Sequence, residues 1–335
     1  MEEERVKKDR KGMKKIWKVL LVIVCILAVI IGTITIISHA VYHRSTMATM
    51  AEWVLAITKD RSSEEETAEK LAVQKQGEEP VYIFDERLES SVKEESYQNL
   101  RIYTLNENDA SPILIYTHGG AYVQEIGAGH WSMLDKIASQ SGCEVRSIVY
   151  PLAPWHTWED SYPSITEYYA SVREAEPDRQ IFFSGDSAGG GLALGVSINI
   201  VKEGYAAPDG LILISPWVEA TETNPEIPVY EKTDPMLSSG SLQADAQAWA
   251  GDEPLEDWHV SPINGELSGL RNVHIFVGTR EMFYPDNVLL YEKLQNLGVE
   301  SCLIIGEGMN HVYPMYPIPE ADRAVSRIAD ILAGE

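Results

Sequence analysis

The first strong feature of the chain is a run with no polar face. Val19 to Ile37, VLLVIVCILAVIIGTITII, carries no charge over 19 residues. At about 1.5 Å per helical residue that nearly crosses a hydrocarbon core of about 30 Å. A helix buried in a globular core would need apolar partners all round, and would not follow directly on the basic KKIWK. The pattern therefore predicts a transmembrane helix over 19–39, preceded by a basic segment over 1–18. From residue 44 to about 79 apolar positions return at spacings of three and four, at Met50, Trp53, Val54 and Ile57, before the charged run KDRSSEEETAEK. This predicts a helical linker or cap segment over 40–79.

Past residue 80 short apolar runs alternate with amphipathic ones. Strands are predicted at Val81–Phe84, Leu100–Thr104, Ile113–Thr117, Glu144–Val149, Ile181–Ser184, Leu211–Ser215, Val273–Val277 and Cys302–Ile305. Helical patterns fall at Trp131–Ser139, Ser164–Glu174, Ala188–Lys202, Asn287–Leu297 and Ala321–Leu332. Strands that alternate with crossover helices imply an α/β fold, with a mostly parallel eight-stranded sheet covered on both faces. Between Val218 and Leu270 the alternation gives way to Pro-, acid- and Trp-rich sequence. That reads as an insertion over the carboxyl edge of the strands, where such sheets bind ligands. The body, 80–335, is then one catalytic-sized domain with a cap insertion at about 218–270, and it contains no internal repeat.

Composition sharpens this picture in three places. The formal net charge is −24, yet residues 1–18 carry eight Lys/Arg against four acids. Basic residues before the span and an acidic body after it place the amino terminus in the cytoplasm and the body outside. The same acidity excludes nucleic acid as a partner. Ser38 and Ala40 have the small-x-small character of a signal-peptidase site, so a cleaved leader is the rival to an anchor; the apolar stretch is longer than a leader's usual core of about 7–15 residues. No Asn-x-Ser/Thr sequon occurs, which points to the surface of a bacterial cell. The three cysteines, Cys25, Cys143 and Cys302, are far apart and read as buried thiols rather than as a disulfide framework.

Candidate chemistry centres on IFFSGDSAGGGLALG, Ile181 to Gly195. Here an apolar strand gives way to glycines around Ser187, and a helix follows. G-D-S-A-G at a strand-to-helix junction is the setting of a nucleophile elbow, where glycines permit a tight turn and a close approach of the helix. GxxxxGK and GxGxxG are absent, so phosphate cradling is no competitor. Of eight histidines, three follow Ser187. His274 falls inside a strand and His259 in the irregular insertion. His311, in GEGMNHVYP just after the last strand, can reach back over the sheet edge as the base. The acid belongs between them, beyond a strand end, where NVHIFVGTREMFYPDN offers Glu281 and Asp286. Glu281 in the GTRE turn is the preferred choice; Asp286, at the start of the next helix, is expected to cap it or face solvent. YTHGGAYV follows the strand PILIYT, so the backbone N–H groups of Gly119, Gly120 and Ala188 are the expected oxyanion donors. His118 is expected to shape that loop. The histidines are scattered, HExxH is absent and the cysteines are unpaired, so neither metal nor organic cofactor is expected.

Together HGGA, YPLAP (Tyr150 to Pro154), GDSAGG, DPML (Asp234 to Leu237) and Ser261-Pro262 resemble the hormone-sensitive-lipase-like group of α/β-hydrolases, over about Pro112 to Pro314. The resemblance implies a serine carboxylesterase for small-molecule esters of short or medium acyl chain. It also implies a helical cap built from residues 44–79 and 218–270. Two positions depart from the group. Ala121 stands where a third glycine is frequent, which should leave the first two N–H donors intact, and Glu281 stands where aspartate is usual. Two rival functions remain open at this stage. One is amide or peptide cleavage on the same triad. The other is a non-catalytic surface binding protein of the same fold. Trp217, Trp249 and Trp258 are compatible with aromatic walls for a substrate or with buried packing.

Overall fold

The computed structural model describes residues 2–109 and 112–334, with side chains from residue 13 onward except that of residue 14. Residue 1 and the side chains of most of the basic segment expected over 1–18 lie outside the described residues. Helix α1 runs from Glu2 to Ala40, so the helix expected over 19–39 continues back through the basic residues. Within its stretch Lys15–Ala40 an 18-residue window has a mean hydropathy of 3.2 and is unburied, and the stretch is long enough to cross a membrane.

The body is an eight-stranded sheet: β1 (Val92–Tyr97), β2 (Leu100–Leu105), β3 (Ile113–Thr117), β4 (Glu144–Val149), β5 (Ile181–Asp186), β6 (Gly210–Ile214), β7 (Val273–Gly278) and β8 (Ser301–Gly306). The spatial order is β1-β2-β4-β3-β5-β6-β7-β8. Pairings β1–β2 and β2–β4 are antiparallel and the rest are parallel. Strands β3 and β5 are buried at every position, and their runs open correspondingly on the apolar ILI and IFF.

Helices α4 (Ala128–Ser141) and α10 (Pro319–Ala333) pack on one face of the sheet, through Trp131, Leu134, Ile137 and Ile328. Helices α5 (Trp158–Ala175), α6 (Ser187–Lys202) and α9 (Tyr284–Asn296) pack on the other, through Ile165, Tyr169, Leu192, Val196 and Leu290. The cap joins two remote parts of the chain. Helices α2 (Thr46–Thr58) and α3 (Glu64–Lys75) come from before the sheet, α7 (Ile227–Glu231) and α8 (Ser239–Ala250) from the insertion, and α3 packs on α8.

Three expectations need correction. Val81–Phe84 forms no strand: it is an extended segment that lays Phe84 against Tyr103 and Trp131, with ring centroids 5.3 and 5.0 Å away. The edge strand is instead VKEESY, whose side chains are mostly in solvent on both faces and so show no alternation. Of the three cysteines only Cys143 is buried; Cys302 lies on the outer strand β8 and Cys25 on the unburied α1, where neither meets a covering layer.

The segment that links α1 to the body is held by a charged cluster. Glu52 on α2 accepts hydrogen bonds from Arg44 and, at 2.9 and 3.0 Å, from Arg280. Burial alone would raise the Glu52 carboxyl; the two guanidiniums outweigh it and hold the carboxyl below its ordinary value. Arg44 also donates to Thr49 Oγ1 at 3.0 Å and to the Gly308 carbonyl at 2.8 Å. Replacing Glu52 by Ala strands buried Arg44 without a counter-charge, a change that costs on the order of 3 kcal/mol. Glu52→Ala is therefore expected to speed amide hydrogen exchange across 44–58 while the amides of β3 to β7 stay protected. Uniform loss of protection across the sheet would refute this account of the link.

Candidate active site

Every parallel strand from β3 to β7, together with β8, ends at the same rim, and the candidate residues lie on the turns just beyond. After β5 the chain turns at Ser187, whose φ of +50° is left-handed. The flanking glycines allow that turn. A Cβ on Gly185 would come within 2.3 Å of the Gly189 carbonyl oxygen, and one on Gly189 within 2.2 Å of the Thr117 carbonyl oxygen. Both obstacles are backbone, so no side-chain shift relieves them. The Ser187 Oγ stands at the rim, and the first-turn N–H groups of α6 stand behind it.

The loop after β8 returns His311 to this hydroxyl. His311 Nε2 lies 2.8 Å from Ser187 Oγ, and its Nδ1 lies 2.5 Å from Glu281 Oε2. Glu281 is fully buried in the turn after β7. Its other oxygen accepts from Ser215 Oγ at 2.9 Å and from the Gly278 N–H at 2.7 Å. Ser215, the first residue beyond β6, in turn accepts from the Val312 N–H at 3.0 Å, which ties the His311 loop to the carboxylate. Asp234 of DPML accepts at 2.9 Å from the Met282 N–H and at 2.7 and 2.9 Å from those of Met236 and Leu237, fixing the turn that carries Glu281. Burial pulls the His311 imidazole down, but the hydrogen bond and charge of Glu281, aided by Asp234 and Asp186, win and hold it above 6.5.

Asp286 takes no part. It is buried rather than capping or solvated, accepts from Asn224 Nδ2 at 2.7 Å, and burial pushes its carboxyl up to about 6. His274 sits in β7 with its Nε2 2.8 Å from Asn272 Oδ1, and His259 pairs with Asp257 between the rings of Trp158 and Trp258. Trp217 and Trp249 are buried in the core layer, stacked about Tyr122, so they do not wall the cavity above Ser187.

The loop after β3 corrects one expected oxyanion donor. The Gly119 N–H donates to Asp186 Oδ1 at 2.8 Å and is thereby committed. Asp186 is buried beside the nucleophile and also accepts from the Tyr116 hydroxyl, with His130 Nε2 3.4 Å away. A buried carboxylate must collect donors, and the first amide of the loop is one of them. No hydrogen bond from the Gly120 or Ala121 N–H is found among the described residues, nor from that of Ala188. Ala121 and Tyr122 both have positive φ, +53° and +65°, and Gly120 has +117°, a curl that aims successive amides inward. His118 is buried beneath this curl, stacked on Tyr150, with its Nδ1 2.8 Å from the Gly119 carbonyl; burial and the neighbouring His130 push its imidazole down to about 4.

A cavity of about 610 Å³ opens above Ser187 and His311 and runs up under the cap. Leu55, Leu71, Leu237 and Leu242 give it apolar walls; its polar lining includes Lys59, Asp60, Lys70 and Gln124, with Asp245 on α8 and Thr67 on α3. Asp245 has no hydrogen-bond partner among the described residues, and burial, with the charge of Asp60, pushes its carboxyl up to about 7. Sequence reasoning missed Asp186 as a scaffold although it lies inside the motif that drew attention to Ser187. It also missed Ser215, which carries no local signature. Among the described residues no group of three or more His, Cys, Asp or Glu is placed to hold a metal ion.

Comparison with known proteins places this geometry among relatives. Residues 114–315 match the sequence model of a family described by its alpha/beta hydrolase fold. An esterase of Acinetobacter venetianus is 30% identical over 226 residues, covering 66% of this chain and 74% of that protein. An acetyl-hydrolase of Streptomyces hygroscopicus is 26% identical, covering 63% and 72%. Among solved structures, EstE5 superposes with a TM-score of 0.75 at 25% identity, covering 86% of this chain and 98% of its own. An esterase from the bacterial hormone-sensitive lipase family, at 22% identity and TM-score 0.73, shares the fold.

Asp245→Asn tests the energetic cost of a buried carboxyl without a hydrogen-bond partner in the cavity. Below the ordinary carboxylate value of 3.8 the group is neutral in both folded and unfolded chains, so the replacement changes little. As pH rises from there to about 7 the unfolded chain loses a proton that the folded chain keeps, and native stability falls. The variant is thus expected to gain about 2–4 kcal/mol at pH 8 and almost nothing near pH 4, read from denaturant unfolding. Equal gains at both pH values would count against an unpaired buried carboxyl.

Proposed function

The chain belongs to the α/β-hydrolase fold family as a hormone-sensitive-lipase-like member, and from that premise we propose that it hydrolyses carboxylic esters of short or medium acyl chain through Ser187, His311 and Glu281. The observation that carries this reading is the unbroken hydrogen-bonded series Ser187 Oγ, His311 Nε2, His311 Nδ1, Glu281 Oε2 at the floor of the cavity. His311 Nε2 accepts the Ser187 proton as Oγ attacks the ester carbonyl. The oxyanion is met by the N–H groups of Gly120, Ala121 and Ala188, and Gly119 serves by anchoring the loop to Asp186. His311 then protonates the departing alcohol. Water, deprotonated by the same imidazole, cleaves the acyl-enzyme and regenerates the serine. Glu281 orients the ring and stabilises the imidazolium while remaining ionised.

Ser187→Ala is expected to reduce turnover of p-nitrophenyl acetate and butyrate to near background and to abolish labelling by a fluorophosphonate. Turnover within tenfold of wild type would overturn the nucleophile. Failure of the folded wild type to label would favour a binding protein, and preference for an aminoacyl amide over the matched ester would favour a peptidase. Because His311 must be neutral to act as base, and Glu281 holds it above 6.5, the acid limb of kcat/KM should have its midpoint above pH 6.5. Glu281→Gln removes the largest raising contribution and leaves burial opposed only by Asp234 and Asp186, so the midpoint should move to lower pH while kcat falls about 10³-fold or more. An unmoved midpoint would detach Glu281 from His311.

The apolar stretch of α1, with basic residues before it and an acidic body after it, supports a single-pass anchor with a cytoplasmic amino terminus and the hydrolase outside. Sequencing the amino terminus of the mature protein tests this against a cleaved leader.

A further inference from the structure

Helix α2 has two faces of opposite character. Ala48, Thr49 and Glu52 are buried against the body. On the other side Met47, Met50, Trp53, Val54 and Ile57 form one stripe at helical spacing, and all are exposed, Ile57 by 82%. A contiguous apolar stripe on the outside of an otherwise strongly acidic body needs a cover. Its position says which. Five residues separate the helix from the end of α1, and Thr46 Oγ1 donates to Thr35 Oγ1 at 3.1 Å. Thr35 lies within the apolar stretch of α1, so α2 begins level with residues that a bilayer surrounds. Its roll about its own axis is fixed by the Arg44–Glu52–Arg280 cluster, and its start by Ser45, which donates from N and Oγ to Glu320 at 2.7 and 2.9 Å. The stripe cannot turn inward without breaking those bonds.

We propose that α2 lies in the interface of the membrane that α1 enters, with Met50, Trp53, Val54 and Ile57 in the boundary between headgroups and acyl chains. A tryptophan among aliphatic side chains suits that depth, and an apolar face with almost no cation on it suits an uncharged lipid surface better than an anionic one. The inward side of the same helix contributes Leu55 and Thr58 to the cavity above Ser187. The cap thus stands between the bilayer and the nucleophile, and, resting on the esterase reading, the substrates it favours are amphiphilic esters that reach the cavity from the lipid phase rather than from water.

The test uses the full chain in phosphatidylcholine nanodiscs. The emission of Trp53, taken as the difference between wild type and Trp53→Phe, should be quenched by lipids brominated near the headgroup and less by lipids brominated deep in the chain. Equal emission in brominated and plain discs overturns the proposal. So does an unquenched Trp53 with two chains in every disc, which would mean the stripe is covered by a second copy. The second arm uses Met50→Glu/Ile57→Glu. Its turnover of dioctanoylglycerol dissolved in the disc should fall at least tenfold relative to wild type, with hydrolysis of p-nitrophenyl acetate within twofold. Equal losses on both substrates would mark the two residues as structural, and no loss on either would show that delivery does not pass this face; both results overturn the delivery claim. A wild type inactive on both esters would defeat the esterase reading alone, because the quenching arm needs no turnover.

Discussion

Glu281 has no exposed surface, and a carboxylate in that position must be met by donors on both oxygens or it destabilises the fold by several kcal/mol. The catalytic rim is arranged to meet it. One oxygen receives a hydroxyl from the turn after β6 and an amide from the end of β7, and the other faces the imidazole delivered by the loop after β8. Three neighbouring strands of the parallel sheet are therefore tied together by one anion. Their parallel direction is what makes this possible, since all three turns emerge on the same side. Asp234, reaching in from the cap insertion, holds the amide next to Glu281, so the cap and the acid are set by a single contact.

A second buried carboxylate does the same on the other side of Ser187. Asp186 gathers a tyrosine hydroxyl, the Gly119 amide and His130, which fixes where the loop after β3 begins its curl. Burial would raise the Asp186 carboxyl, and His130, Tyr116 and Gly119 together bring it below its ordinary value. Ser187 thus stands between two anions, Glu281 paired to His311 and Asp186 to the loop after β3. Its left-handed backbone is held by glycines that leave no room for a Cβ.

The sheet was legible because seven of its strands are apolar runs bounded by turn residues, and the elbow because an apolar strand, a serine and a glycine series stand together. The edge strand was not, since a strand wet on both faces leaves no periodicity in VKEESY. Helix α5 extends back beyond the expected Ser164, through Pro163 to Trp158, with Asp160 closing back on Thr157. Ser187, Glu281 and His311 could be nominated from turn positions after strands, but their mutual distances could not. Gly119 was misassigned for a definite reason: motif spacing shows that amides are present, and only coordinates show that one is already taken by a neighbouring acid. Ser215 left no trace because a serine after a strand is ordinary until its partner is in view.

The Arg44 contacts have a mechanical meaning. Arg44 grips the carbonyl of Gly308, three residues before His311, and through Glu52 it is bridged to Arg280, one residue before Glu281. A movement of α1 relative to the body would thus reach the backbone just ahead of both Glu281 and His311.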